Sequence, residues 1–80
     1  MSGHDKTQLV AEAVRMEMAR QQKKTPELAR AIGCSPRTAR NRLSGLYPFE
    51  IDELLAASGW LRVPLSHLTA EAEATMKAAM

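Results

Sequence analysis

Basic side chains are concentrated in one short part of this sequence, where they could bind a polyanion. From Arg20 to Arg42 there are seven basic residues and one acid, Glu27, so this window carries a charge of +6. The residues before it sum to −1 and those after it to −3, which leaves the whole chain at only +2. Such a local excess of positive charge is expected of a surface that neutralises phosphates. The basic residues of the window are Arg20, Lys23, Lys24, Arg30, Arg37, Arg40 and Arg42.

Two short helices joined by a tight turn must position these basic residues. The tripeptide 25–27 (Thr-Pro-Glu) predicts a helix start, because Thr can cap, Pro fits the first turn and Glu favours the positive end of the helix dipole. Gly33 predicts the end of this helix, since glycine adopts the left-handed conformation without a Cβ clash. Ser35 and Pro36 repeat the start and predict a further helix over about 36–44. This arrangement is typical of a helix that contacts the DNA major groove.

The spacing within the 36–44 helix separates a buried face from an exposed one. Ala39 and Leu43 are four residues apart and are predicted to face inward. Arginine can bridge O6 and N7 of guanine, and asparagine can bridge N6 and N7 of adenine. Contacts to base edges are therefore predicted from the opposite face, at Pro36, Arg37, Arg40 and Asn41.

Phosphate contacts are predicted around the starts and margins of the same two helices. Helix N-termini offer free N–H groups and a positive dipole end to an anion. For Arg42 two roles stay open, a phosphate contact or an ion pair with an acid such as Glu50. The predicted phosphate contacts are Thr25, Ser35, Lys23, Lys24, Thr38, Arg42 and Ser44.

The rest of the chain predicts a small helical bundle around this unit. Apolar residues make up 45% and aromatic residues only 4%, which favours helices over a sheet sandwich. Helices are predicted over about 6–21, with Asp5 and Gln8 as a capping box, from 49 or 50 to about 61, and over 64–68. The predicted buried stripe of the fourth helix is Ile51, Leu54, Leu55 and Leu61. The aromatic residues Trp60, Phe49 and Tyr47 are predicted in the core or at its edge.

These motifs together resemble the Xre-type helix-turn-helix family of phage repressor and Cro-like DNA-binding domains. The resemblance covers about residues 7–68. It implies a lambda-repressor-like bundle of five helices, with the third helix in the major groove of an operator, and a homodimer at least on DNA. The chain departs from the family at Cys34 and Ala39, and at Arg62, where a glycine is usual and a left-handed backbone is therefore expected. The matching residues are Leu28, Ala29, Gly33, Ser35 to Thr38, Leu43 to Gly45, Phe49, Glu53, Leu54 and 61–65.

Residues 1–68 are accordingly predicted to form a helix-turn-helix DNA-binding domain, followed by a helical tail over 69–80. An apolar stripe in this tail could lie on its own bundle or pair with a second subunit. The leading hypothesis is a sequence-specific, Cro-like transcriptional repressor that binds double-stranded DNA. Alternatives are an antitoxin-like protein-interaction component and a recombination accessory or architectural DNA-binding protein. The tail stripe consists of Leu68, Ala72, Met76, Ala79 and Met80.

No pattern in the sequence predicts catalysis, a cofactor, a small-molecule ligand or a metal site. Cys34 is the one cysteine, and His4 and His67 lie at unrelated spacings, so metal ligation is not expected. Cys34 is predicted to be a small buried hydrophobic residue, and His67 a surface residue. No stretch of 18 apolar residues is present, so no membrane span is expected and the cytoplasm is the predicted location.

Overall fold

The structure is a computed structural model that describes residues 6–70. Its helices are α1 (Lys6–Arg20), α2 (Thr25–Ile32), α3 (Pro36–Ser44) and α4 (Ile51–Leu61), and a fifth helix, α5, runs from 65 to the end of the described part at 70. Residues 6–70 contain no strand, which confirms the predicted all-helical class. None of the helices in this part is long and apolar enough to span a bilayer. Asp5 of the predicted capping box and the tail residues 71–80 lie outside the described residues.

The turn between α2 and α3 forms as its residue types predict. Gly33 ends α2 with a left-handed backbone, at φ 76°. Ser35 caps α3, because its Oγ accepts a hydrogen bond from the Thr38 N–H at 3.1 Å. The predicted cap of α2 is wrong by one residue: Lys24 is the capping position, and Thr25 is the first helical residue. Glu27 stabilises this start, since its carboxylate accepts the Lys24 N–H at 2.6 Å.

Two side chains of α1 hold the C-terminal end of α3. Arg15 donates a hydrogen bond to the Leu43 carbonyl, and Gln8 donates one to the Gly45 carbonyl at 3.3 Å. Gly45 has a left-handed backbone, and a Cβ there would clash with the Gln8 amide. These bonds satisfy carbonyl groups that the end of a helix leaves free. They also fix the orientation of α3 on the bundle.

The core lies where the helices meet, and small residues allow them to approach closely. Ala39 is fully buried and Leu43 is 9% exposed, which confirms the predicted inward face of α3. Ala29 on α2 is also buried, in agreement with the close packing of α2 on α3. The buried apolar residues of the described part are Ala11, Val14, Met18, Leu28, Ala29, Ala39, Leu43, Leu54, Ala57, Leu61 and Leu68.

Several predicted core positions are wrong. Ile51 and Leu55 are 62% and 52% exposed, so only Leu54 and Leu61 of the predicted stripe on α4 are buried. Tyr47 is exposed as well, whereas the other two aromatic residues, Phe49 and Trp60, pack at the edge of the core as predicted. The helical period predicts which residues share a face of a helix. It does not predict which face packs against another helix.

Three further positions can be compared with the sequence-based expectations. Leu68 is only 1% exposed and packs in the core, which agrees at this position with the alternative in which the stripe lies on its own bundle; the other residues of the stripe lie outside the described part. Cys34 is half-buried against the core rather than fully buried. Arg62, by contrast, has the left-handed backbone expected of it, at φ 60°, and ends α4.

Candidate nucleic-acid interface

The outer face of α3 presents most of the predicted base-contacting residues together. Pro36, Arg37 and Arg40 are exposed, because Ala39 on the opposite side is buried in the core. Asn41 is half-buried at the margin of this face. The nine residues of α3 make a helix about 13 Å long, given a rise of 1.5 Å per residue, and its two exposed cations, Arg37 and Arg40, lie in the N-terminal half.

Arg37 and Arg40 have no internal counter-charge. Within residues 6–70, neither side chain forms an ion pair or a side-chain hydrogen bond. They lie three residues apart and are therefore neighbours on the helix surface. Two adjacent positive charges held in solvent repel each other, and an anionic ligand would relieve that repulsion.

Arg42, on the inner flank of α3, is engaged inside the protein. Its Nε donates to the Glu53 Oε1 at 2.8 Å, and its Nη2 donates to Oε2 at 3.3 Å. The two side chains are only 15% and 12% exposed. Of the two roles left open for Arg42, the structure therefore has the ion pair, and the acid is Glu53 rather than Glu50.

The surroundings of Glu53 favour its ionised form. Burial raises the pKa of Glu53, but hydrogen bonds from Arg42 and from the Glu50 N–H outweigh burial, so the pKa lies below the ordinary value. The same hydrogen bond raises the pKa of Arg42. The pair therefore stays charged at neutral pH and joins α3 to the start of α4.

The two lysines before α2 also differ in whether they are engaged inside the protein. Lys23 donates from Nζ to the Trp60 carbonyl at 3.0 Å and lies 4.6 Å from the centre of the Trp60 ring. Lys24 is exposed. Only Lys24 is thus fully available among the two predicted phosphate contacts.

The hydroxyl groups predicted to contact phosphate lie at the ends of the two helices. Ser35 and Thr38 share a hydrogen bond of 3.1 Å at the start of α3. Ser44, at the other end, donates to the Asn41 carbonyl at 3.0 Å. Thr25 lies in the first turn of α2. Three of these side chains, those of Ser35, Thr38 and Ser44, therefore already have a capping or turn contact that a phosphate would share.

A buried carboxylate that the sequence analysis did not single out binds another cation of the basic window. Glu17 is 3% exposed and accepts hydrogen bonds from Arg20 at 2.7 Å and Gln21 at 2.9 Å. Nε2 of the exposed His67 lies 3.2 Å away. Arg20, more than any other group, lowers the pKa of Glu17 to about 2. The spacings of three and four residues on a helix were a signal that could have predicted the first two contacts.

The described residues offer no cluster of three or more side chains that could hold a metal ion. Cys34 is a free cysteine, and burial raises the pKa of its thiol. A thiol with a raised pKa is mostly protonated at neutral pH and is a poor nucleophile. The chemistry that the site does offer is the binding of anions by exposed arginines.

Comparison of the chain with family models, with curated proteins and with solved structures finds no match. The similarity to the Xre-type family therefore still depends on the motif residues alone. What the exposed face of α3 does has to be argued from its geometry and charge.

Proposed function

We propose that this protein binds double-stranded DNA in a sequence-specific manner and acts as a transcriptional repressor of the Cro-like kind. The observation that carries the proposal is the pair Arg37 and Arg40, exposed on one face of α3 without an internal counter-charge. Arg42 and Arg20, which belong to the same basic window, are each paired with a glutamate. Four exposed cations of the window have no ion pair within residues 6–70: Lys24 and Arg30 lie at the start and in the last turn of α2, and the other two lie on α3.

The major groove is the part of DNA that matches this surface. It is wide enough to admit an α-helix, and each base pair presents a distinct pattern of donors and acceptors there. Arg37 and Arg40 can each bridge O6 and N7 of a guanine, and Asn41 is suited to adenine at the margin of the helix. Pro36 would contact the groove wall at the N-terminus of α3.

The helix starts supply the proposed contacts to the DNA backbone. Phosphates bind well at helix N-termini, where free N–H groups and the helix dipole point toward the anion. The start of α3 has Ser35 and Thr38, and the start of α2 has Thr25 and the exposed Lys24. Phosphate contacts at both starts would fix the register of α3 in the groove.

The experiment that tests this function begins with selection of bound duplexes from a random pool by the purified protein. Fluorescence anisotropy then compares a selected duplex with a scrambled duplex of equal length over a salt series. We expect tighter binding to the selected duplex and a steep decrease in affinity with salt. Failure to enrich any sequence, with equal affinity for both duplexes, would favour an architectural DNA-binding protein. Absence of binding at low salt would reject DNA as the ligand.

A matched pair of variants assigns the binding to α3. Arg40→Ala removes one exposed cation from α3, and Lys6→Ala removes one exposed cation from the start of α1. We expect Arg40→Ala to relax the preference for one base pair, whereas Lys6→Ala leaves the preference unchanged. An equal loss on every sequence would instead assign Arg40 to a phosphate.

A further inference from the structure

A groove lies along the outward face of α1, beside α5. On its α1 wall, Leu9 and Ala13 are half-buried and Met16 is 64% exposed. His67 of α5 lines the groove near the C-terminal end of α1, where its Nε2 lies 3.2 Å from Oε1 of Glu17. The described part of the chain leaves this groove open. Its apolar wall is therefore available to a further segment.

Two contacts hold α5 at this end of the groove. One is the hydrogen bond between His67 and Glu17, and the other is the packing of Leu68, only 1% exposed, in the core. The described part ends at residue 70, still within α5, and ten residues, 71–80, follow it in the sequence. This C-terminal segment therefore begins beside the groove.

The apolar face of α5 has a continuation in the sequence of the C-terminal segment. From Leu68, which is packed in the core, helical spacing leads to Ala72, Met76 and Ala79. Proline and glycine are absent from 71–80, and most of its residues are good helix formers. The sequence thus favours one helix that continues α5 and keeps an apolar side toward the bundle.

The C-terminal segment is long enough to cover the apolar wall. The wall extends over about 12 Å from Glu17 to Leu9, and ten helical residues extend over about 15 Å, because the rise is about 1.5 Å per residue. In the other direction α1 ends at Arg20, one turn beyond Glu17. The segment therefore remains on the wall only if it runs toward Leu9, antiparallel to α1.

In this direction, apolar residues of the two helices come to the same level. Equal counts of residues along both helices, starting from the hydrogen bond that joins them, bring Ala72 within one residue of the level of Ala13. The same count brings Met76 within one residue of the level of Leu9. Two small residues thus allow a close approach near α5, and two large apolar residues meet further along the wall.

We propose that residues 71–80 continue α5 as a helix and dock in this groove, antiparallel to α1, with Ala72, Met76 and Ala79 against its wall. This segment is the occupant because α5 already holds it at one end of the groove. Its docking therefore avoids the loss of translational freedom that a separate molecule would incur. The proposal extends the contact between α5 and α1, and it does not depend on DNA binding.

Contacts between methyl groups test the docking directly in the full chain without DNA. In a methyl-labelled sample we expect nuclear Overhauser effects between Met76 and Leu9, and between Ala72 and both Met16 and Ala13. An isotope-filtered experiment on a mixture of labelled and unlabelled protein detects contacts between separate molecules. We expect no such contact in the groove, since the segment and the wall belong to the same chain.

Two alanines of the segment provide a matched pair of variants. Ala72 lies on the proposed inner face, and Ala74 lies about 200° further around the helix, on the opposite face. In the unmodified protein, the amides of 75–79 should exchange with solvent about tenfold or more slowly than in an unstructured chain. Ala72→Asp should remove this protection, whereas Ala74→Asp should change it by less than about twofold. Because both variants carry the same substitution, a difference between them reports the face that is docked.

A variant of the wall tests the same contact from the other side. Met16→Gln replaces an apolar side chain with a polar one, and glutamine is also a good helix former. Since Met16 is 64% exposed in the described part, the bundle itself loses little. We expect faster exchange at 75–79 and unchanged exchange at Leu54 and Leu61, whose side chains are buried in the core. Unchanged exchange in the core separates the loss of docking from unfolding.

Four results would overturn the proposal. The first is exchange at 75–79 as fast as in an unstructured chain. The second is an equal effect of Ala72→Asp and Ala74→Asp. The third is a contact of Met76 with another face of the bundle, such as Leu55 on α4, in place of Leu9. The fourth is a contact between the segment and α1 of separate molecules. None of these results bears on DNA binding by α3, so the two proposals fail separately.

Discussion

The two flanks of α3, a helix of nine residues, place arginine side chains in opposite environments. On the inner flank of α3, Arg42 is nearly buried and bound to Glu53. On the outer flank, Arg37 and Arg40 are exposed and have no counter-charge within residues 6–70. The count of basic residues in the sequence gives these three arginines equal weight. The structure shows that one of them is bound to a carboxylate inside the protein and that the other two are exposed to solvent.

The comparison extends to the whole basic window. Arg20 is paired with Glu17, and Lys23 lies against Trp60, whereas Lys24 is exposed. Arg30, in the last turn of α2, is exposed and has no ion pair within residues 6–70. Internal partners thus reduce the charge that a ligand can meet, and what remains in the window is the pair of arginines on the outer flank of α3 together with Lys24 and Arg30 at the two ends of α2. A surface that keeps unpaired cations so close together is stabilised when an anion binds.

The largest expected effect comes from removal of the unpaired arginines. Arg37→Ala and Arg40→Ala should each reduce the affinity for a selected duplex by about 1–3 kcal/mol, with the double variant weaker than either. The free energy of unfolding should change little, since no internal contact is lost. Anisotropy and urea unfolding measure the two quantities separately. An unchanged affinity in the double variant would refute the distinction between the two flanks.

On the inner flank of α3, we expect removal of a charge to change mainly the free energy of unfolding. Glu53→Ala leaves Arg42 nearly buried without its partner and also removes the acceptor of the Glu50 N–H. We expect a loss of about 2 kcal/mol in the free energy of unfolding, because an unpaired buried charge is costly. Glu12→Ala, at an exposed position on α1, is the control and should have little effect. If both variants lost the same stability, the Arg42–Glu53 pair would be no more than a surface contact.

Lowering the pH should decrease the free energy of unfolding, because it protonates the two glutamates that are paired with arginines. The folded protein holds the pKa of Glu17 at about 2 and that of Glu53 below the ordinary value of 4.5. A lowered pKa in the folded state means that stability is complete above about pH 4.5 and decreases as the pH falls toward 2. Urea unfolding at a series of pH values measures this. With Glu17→Gln the decrease should be shallower, and an identical decrease would show that Glu17 does not contribute.

The smallest effects are expected from the two adjacent lysines, of which only one contacts Trp60. Lys23→Ala removes a cation from the Trp60 ring and should lower the free energy of unfolding by about 0.5–1 kcal/mol. Lys24→Ala should leave stability unchanged and reduce the slope of log affinity against log salt by about 1, as expected for one phosphate contact. Thermal melts and salt titrations of both variants provide the data. Exchanged results would mean that Lys23, not Lys24, contacts the backbone of DNA.

Features that depend on neighbours in the chain could be predicted from the sequence. Ser35 caps α3 and Gly33 ends α2 because a cap or a left-handed turn is determined by a few adjacent residues. The left-handed backbone of Arg62 was instead expected from the resemblance to a family in which a glycine is usual at this position. The inward face of α3 was predicted correctly as well, since Ala39 and Leu43 are the apolar positions that share one side of that helix.

Features that depend on distant parts of the chain could not be predicted in the same way. The partner of Arg42 is Glu53 rather than Glu50 because the rotation of α4 about its own axis decides which acid faces α3. Ile51 and Leu55 fit a helical stripe, yet no element covers them in the described part. Glu17 is buried because Arg20, Gln21 and His67 surround it, and the last of these lies 50 residues away.

The most direct test of the account observes the arginine side chains themselves. Their Nε–H signals can be followed by NMR in an isotope-labelled sample while a selected duplex is added. We predict that the signals of Arg37 and Arg40 shift to a bound position at saturation, whereas that of Arg42 stays where its hydrogen bond to Glu53 holds it. A shift of Arg42 without shifts of Arg37 and Arg40 would contradict the proposed role of the outer face of α3.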